Sequence, residues 1–309
     1  LVSSDLFLPL SGLGFGRGGL GLHESDVPIY GRLHVYLAGR RDNNGNRGSM
    51  LKGAIRMQSP LPIGSASDDR IPGPWKPIVG RWSKEVETDD AERVAMLSHS
   101  GDLFELNNVH SEPGAAWTVS PSDWLRVLRD AAGLFHSHPS GRPTPSAADI
   151  SGQIGTAIPW VICPRGGEPF ALGPRSPAPV VGRGYRFGVD DCFSCFRDAF
   201  EEFSGDVLPN FARSWGFWKH GKPLFENGVA AAGFVRVGQD INGAEKGDAL
   251  LFRIHSRVFN HAAFYEGGGM MTHHPAPAVP FDPARLSVSE RVDRWVSRLD
   301  YEVFRRGPR

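Results

Sequence analysis

Apolar and polar positions fall into two regimes along this chain. Over residues 1 to about 80, Gly, Pro, Ser and Asn break up the apolar pattern. One run there, Ile29 to Ala38, reads as a strand, closed by the turn-prone Arg41-Asp-Asn-Asn-Gly-Asn. From residue 81 the pattern becomes regular. Asp102 to Asn107 reads as a strand, and Ser120-Pro121-Ser-Asp123 opens a helix with Trp124, Leu125 and Leu128 on one face. Leu134-Phe135 leads a further strand into His136, a helix follows from Ile150, and Ile158 to Ile162 forms another short strand. Beyond a proline-rich break, Phe193, Phe196, Phe200 and Phe203 recur at helical spacing over Cys192 to Phe203. Ala249 to Ile254, Ala262 to Tyr265 and Met270 to His273 then read as strands.

This order predicts an α+β chain in three parts joined by a linker. Residues 1–80 form an extended or β-rich appendage, 81–173 an α/β domain and 184–309 a helix-then-sheet α+β domain. The linker, 174–183, is rich in proline, which joins neither a helix nor a central sheet. A length of 309 residues suits two domains of ordinary size with an extra segment. Within the appendage, Gly14-Phe-Gly16-Arg-Gly-Gly19 matches a dinucleotide fingerprint in form. It lacks the strand before and the helix after that such a site needs, so it reads as loop.

The formal net charge of zero removes any global pull toward nucleic acid or anionic lipid, so no nucleic-acid partner is expected. No stretch approaches the apolar length of a membrane span. Leu1 to Leu10 lacks the charged start and small-residue cleavage site of a signal peptide. The three cysteines, Cys163, Cys192 and Cys195, make no disulfide framework.

Two stretches carry chemistry. His136 and His138, two apart on a strand, project from one face, and Asp149 can add an oxygen from the following helix. Three protein ligands with an open fourth position suit a catalytic zinc, and Ser146, one turn before Asp149, is placed to stabilise an oxyanion. The plainer reading stands beside it: Ser146-Ala-Ala-Asp149 is also a capping box, and a His-x-His pair is more often packing than ligand. The second stretch puts Cys192 in the first turn of a helix, where the dipole favours a thiolate and a nearby histidine can take its proton. A buried small hydrophobe is the alternative, and Cys195 and Cys163 read as that.

The full run His136-Ser-His138-Pro-Ser followed by Ser146-x-x-Asp149 resembles the JAMM metalloprotease motif of the catalytic MPN domain. The resemblance implies Zn2+ on His136, His138 and Asp149, Ser146 at the oxyanion, and an upstream glutamate as general acid/base. Glu92 is the matching position, with Glu87 as the other choice. Tyr185-x-x-Gly188, Asp191-Cys192-x-Ser194, Lys246-Gly247-Asp248, Asn260-His261 and the triple glycine before Met270-Met271-Thr272-His273 resemble, in that order, the NlpC/P60 family of papain-like cysteine peptidases. That likeness implies Cys192 as nucleophile, His261 as base, His273 as its orienting partner and Tyr185 near the substrate. A one-residue slip would bring His274 instead of His273. His255, which lacks the family context, reads as exposed.

The two motifs in one polypeptide resemble the tail-tip proteins of long-tailed, lambda-type bacteriophages. This implies a virion tail-tip peptidase that cleaves peptidoglycan stem peptides during host entry, is assembled in the host cytoplasm, and meets the tail-tip hub and distal tail proteins. The alternative it leaves is a structural tail-tip component with vestigial or gated sites.

Overall fold

The computed structural model describes residues 71–173 and 179–307. The Gly14 to Gly19 stretch, the strand expected at Ile29 to Ala38 and residues 174–178 of the linker lie outside the described residues.

The fold is α+β, organised on two sheets. The first half runs α1 (Lys76–Val86), β1 (Val94–Ser98), β2 (Leu103–Leu106), α2 (Pro121–Val127), β3 (Ala131–His138), α3 (Ala147–Thr156), β4 (Trp160–Pro164) and β5 (Phe170–Leu172). Its strands lie in the order β2-β1-β3-β4-β5, with β3 and β4 parallel and the other neighbours antiparallel. A parallel pair needs a crossover, and α3 supplies it. Alternation along the strands sorts the core. Val94, Met96, Leu134 and Ile162 join Trp117, Trp124 and Ile150 on one face, while Ala95, Leu97, Phe135 and Val161 join Trp75, Val79 and Trp82 on the other.

Two expectations need correction here. The boundary expected at residue 80 falls inside α1, because Val79 and Trp82 are buried in one core cluster. The face of α2 that packs is Trp124 with Val127, whereas Leu125 is 47% exposed, since one step along a helix turns a side chain by about 100°.

The second half comprises β6 (Gly184–Arg186), α4 (Cys192–Ser204), α5 (Leu224–Ala231), β7 (Phe234–Gly238), β8 (Ala249–Arg253), β9 (His261–Gly267), β10 (Met270–His273), β11 (Phe281–Leu286), β12 (Val288–Arg291), α6 (Asp293–Val296) and β13 (Asp300–Arg306). Six strands form an antiparallel sheet, β12-β10-β9-β8-β13-β7, and β6 pairs with β11 apart from it. Helix α4 lies against β9 and β10. Its Phe193, Phe196 and Phe200 enter a cluster with Phe211, Phe225 and Phe234, whereas Phe203, in the last turn, is largely exposed.

The halves touch beyond the linker. The Arg186 guanidinium lies 4.1 Å from the ring centres of both Phe170 and Phe281 and donates to the Pro143 carbonyl. Val189 is buried in the first half's core. Gly188 has φ of +80°, and a Cβ there would come within 2.9 Å of Pro145 and Ile150, so both backbone and space demand glycine. Among the described residues no helix is long and apolar enough to cross a membrane.

Candidate active sites

The alternation of β3 turns His136 and His138 to one face, and the first turn of α3 brings Asp149 to them. His136 Nε2 and His138 Nε2 are 3.2 Å apart, His136 Nε2 lies 3.3 Å from Asp149 Oδ1, and His138 Nε2 lies 3.4 Å from Asp149 Oδ2. All three residues are buried, and they form a group able to hold a metal ion. A tetrahedron with bonds of about 2.0–2.1 Å has edges of about 3.3 Å, so the donor spacing fits zinc. The tautomer fits too. His138 Nδ1–H donates to the Arg142 carbonyl at 2.9 Å, which leaves Nε2 as a lone pair. Burial alone would raise the Asp149 carboxyl, yet His136 and His138 hold it well below the usual carboxylate range. The Arg142 guanidinium stands 3.3 Å from His138 Nε2 and 3.6 Å from Asp149 Oδ2, and its Nε donates to the Thr144 carbonyl at 3.2 Å.

Ser146 caps α3. Its Oγ accepts from Asp149 N at 3.0 Å, and Ser146 N donates to Asp149 Oδ2 at 2.7 Å. The capping box and the ligand set are therefore one structure, since the box fixes the carboxylate that faces the histidines. Glu92 sits just ahead of β1, whose Val94 pairs with His136. Its carboxyl is pushed up to about 7, by burial first, while His138 and Arg142 lower it and Asp149 raises it. Glu92 therefore feels the charges of His138, Asp149 and Arg142. Glu87 is exposed after α1, where its carbonyl accepts from Arg165.

In the second half, Asp191 caps α4. Its Oδ1 accepts from Ser194 N and its Oδ2 from Gly188 N, both at 2.9 Å. Arg213, 1% exposed, grips the same carboxylate through Nε at 2.7 Å and Nη2 at 3.0 Å. Burial would raise the Asp191 carboxyl, and Arg213 keeps it below its ordinary value. Cys192 follows as the first residue of α4, which packs on β9, and the backbone of Ala262, the neighbour of His261, lowers its thiol slightly. The thiol does not show the depression expected at a helix N-terminus. Burial, with the Asp191 charge added, pushes it up to about 12.

His261 Nε2 lies 2.8 Å from His273 Nδ1, and His273 Nε2 lies 2.8 Å from Glu290 Oε1. The β9–β10 register pairs His273 with Ala263. His274 points the other way: its ring centre is 5.0 Å from that of Tyr185, and its Nε2–H donates to Arg285 O at 2.8 Å. His261 Nδ1 is buried and has no hydrogen-bond partner among the described residues, so the Cys192 thiol and this imidazole are not bonded to each other. Trp295 stacks on His261, with ring centres 4.9 Å apart and planes at 16°. Tyr185 and Cys192 line one cavity with Phe187, Trp215 and Asn260. Cys163 and Cys195 are buried, and His255 is exposed at a φ of 49°.

Sequence reasoning missed Arg213, Glu290 and Trp295. A lone arginine in an aromatic-rich loop, Asn210 to Trp218, was the one available signal for the first. The other two had none, because strand pairing and a short helix bring them in.

Residues 167–293 match the model of the NlpC/P60 family. Tail tip assembly protein K of Escherichia phage lambda is 36% identical over 184 residues, which cover 58% of this chain and 85% of that protein. Tail tip assembly protein K of Escherichia phage N15 is 24% identical over 187 residues, 59% of this chain and 75% of that protein. A shorter likeness, 32% over 65 residues, links 19% of this chain to 47% of a desampylase from Haloferax volcanii.

Proposed function

The chain belongs to the family of tail tip assembly protein K, and from that premise we propose that it is a tail-tip cysteine peptidase that opens peptidoglycan stem peptides during host entry. The observation that carries this reading is the capped start of α4, where Asp191 and Arg213 hold Cys192 against the strand that begins with His261. In the reaction, His261 Nδ1 takes the thiol proton as sulfur attacks the scissile carbonyl. The proton then passes to the leaving amine as the C–N bond breaks and a thioester forms. Water, deprotonated by the same nitrogen, hydrolyses that thioester and returns the thiol. Burial raises the thiol and lowers the imidazole, which favours proton transfer in step with attack. The aromatic cavity beside Cys192, with Tyr185 in its wall, receives the substrate.

The first half is proposed as a JAMM-type metallopeptidase unit for tail assembly or a protein substrate, supported by its donor geometry and by the short likeness to a desampylase. His136, His138 and Asp149 would hold zinc, which supplies a bound water of near-neutral pKa. Glu92, raised to about 7, is suited to move a proton there, and Ser146 keeps Asp149 aimed. The proposed partners are the tail-tip hub and distal tail proteins, with assembly in the host cytoplasm.

A second reading, a structural tail-tip component with gated sites, is favoured by the burial of Cys192, His261 and His273 and by the missing thiol–imidazole bond. Digestion of purified peptidoglycan by wild type, Cys192→Ala and His136→Ala proteins, with released stem peptides identified by mass spectrometry, separates the two. Loss with Cys192→Ala alone supports the peptidase. A folded wild type that releases nothing supports the gated component.

A further inference from the structure

Beyond His261 and His273 the hydrogen-bond chain ends on a carboxylate, and donor counting gives its direction. Glu290 Oε1 accepts, so His273 Nε2 carries the proton donated to it at 2.8 Å. A neutral imidazole has one N–H, so His273 Nδ1 is a lone pair and accepts from His261 Nε2–H at 2.8 Å. The same rule leaves His261 Nδ1 unprotonated, and it is this atom that lies buried without a hydrogen-bond partner among the described residues. Burial lowers both imidazoles, in keeping with neutral rings.

Glu290 is itself held. Trp295 Nε1–H donates to the same Oε1 at 3.0 Å while its indole stacks on His261 and stands edge-on to His273, with ring centres 4.7 Å apart. One tryptophan thus clamps the carboxylate at one end of the chain and covers the imidazole at the other.

We infer that Glu290, fixed by Trp295, is a positioning residue that sets the proton direction of the relay and keeps His261 Nδ1 free to act as the base. The inference rests on the reading of Cys192 and His261 as the reacting pair.

The indole N–H makes the test specific. In Glu290→Gln an acceptor oxygen remains, and Trp295 pins it toward His273, because a flipped amide would set two donors against the indole. In Glu290→Leu the acceptor is gone. In the double variant Glu290→Gln/Trp295→Phe the amide is free to flip. Nitrogen NMR of the histidine rings in the full chain, assigned with His261→Gln, reads the tautomer. Iodoacetamide labelling of Cys192, followed by peptide mass spectrometry, reads thiol reactivity without any substrate.

The expected result is an unprotonated His261 Nδ1 in wild type and Glu290→Gln, the latter labelled a few-fold more slowly. Glu290→Leu and the double variant show mixed tautomers and labelling slower by about tenfold or more, the direction seen when a histidine base is left in the wrong tautomer. A folded Glu290→Leu protein with the wild-type tautomer and labelling rate overturns the inference. If wild type shows the expected tautomer while Cys192 resists labelling, the relay stands and the nucleophile reading falls.

Discussion

The two sites are organised by different physics. In the first half, two imidazoles and a carboxylate converge with lone pairs facing a common point, and the Arg142 guanidinium stands beside them, so the arrangement calls for a cation. In the second half the imidazoles are lowered by burial, the thiol is raised, and order comes from hydrogen-bond direction along His261, His273 and Glu290. A fully buried ion pair there, Asp191 with Arg213, is spent on the helix start. A site built on charge responds to ions, and a site built on hydrogen-bond direction responds to acceptors and burial.

The sharpest way to break the comparison is Asp191→Ala, which leaves Arg213 buried and unpaired at a cost of about 3–5 kcal/mol. Hydrogen exchange resolved by peptide should show protection lost over α4 and β9 while β3 and α3 keep theirs and still take up one zinc. Pairing Asp191→Leu with Arg213→Met should recover the part of the loss due to the unpaired charge and leave the part due to the lost α4 cap.

Acid should act on the second half next. Burial lowers His274 from 6.5 to about 4. Between those values the unfolded chain binds the proton and the folded chain does not. Stability is therefore complete above about 6.5 and falls as pH drops toward about 4, by roughly 3 kcal/mol. Urea unfolding across that window measures the slope, and His274→Gln should reduce it, leaving the share of His261 and His273, which burial also lowers.

Zinc should act on the first half alone, with a stabilisation of about 2.7 kcal/mol at a free concentration one hundred times the dissociation constant. Thermal unfolding with and without chelator checks it, and Asp149→Asn should abolish the response. The smallest effect belongs to Ser146→Ala, about 1 kcal/mol through loss of the α3 cap. A urea midpoint unchanged within error would show that the box contributes nothing to holding Asp149.

Much of this was legible because the signals were local. His136 and His138 share a face by strand period, Asp149 follows at a helix start, and Cys192 opens a helix whose Phe193, Phe196 and Phe200 are buried. What escaped was set by tertiary partners. His273 and not His274 meets His261 only because β10 pairs Ala263 with His273, and a strand read alone has no register. Glu290 lies on β12, opposite Met271, seventeen residues from the histidine it contacts. The α1 boundary was missed because Trp75, Val79 and Trp82 border a Gly- and Pro-rich stretch that masks their helical spacing. Leu125 and Phe203 are apolar side chains that the folded faces leave outside.

The seating of Val189 in the first half's core has a consequence for how the protein is made. Synthesis delivers β1 to β5 first, and their core lacks one of its side chains until residue 189 has left the ribosome. Asp191 and Cys192 follow that plug by two and three positions. Through Val189, the start of α4, and with it the second site, is tied to the packing of the first half.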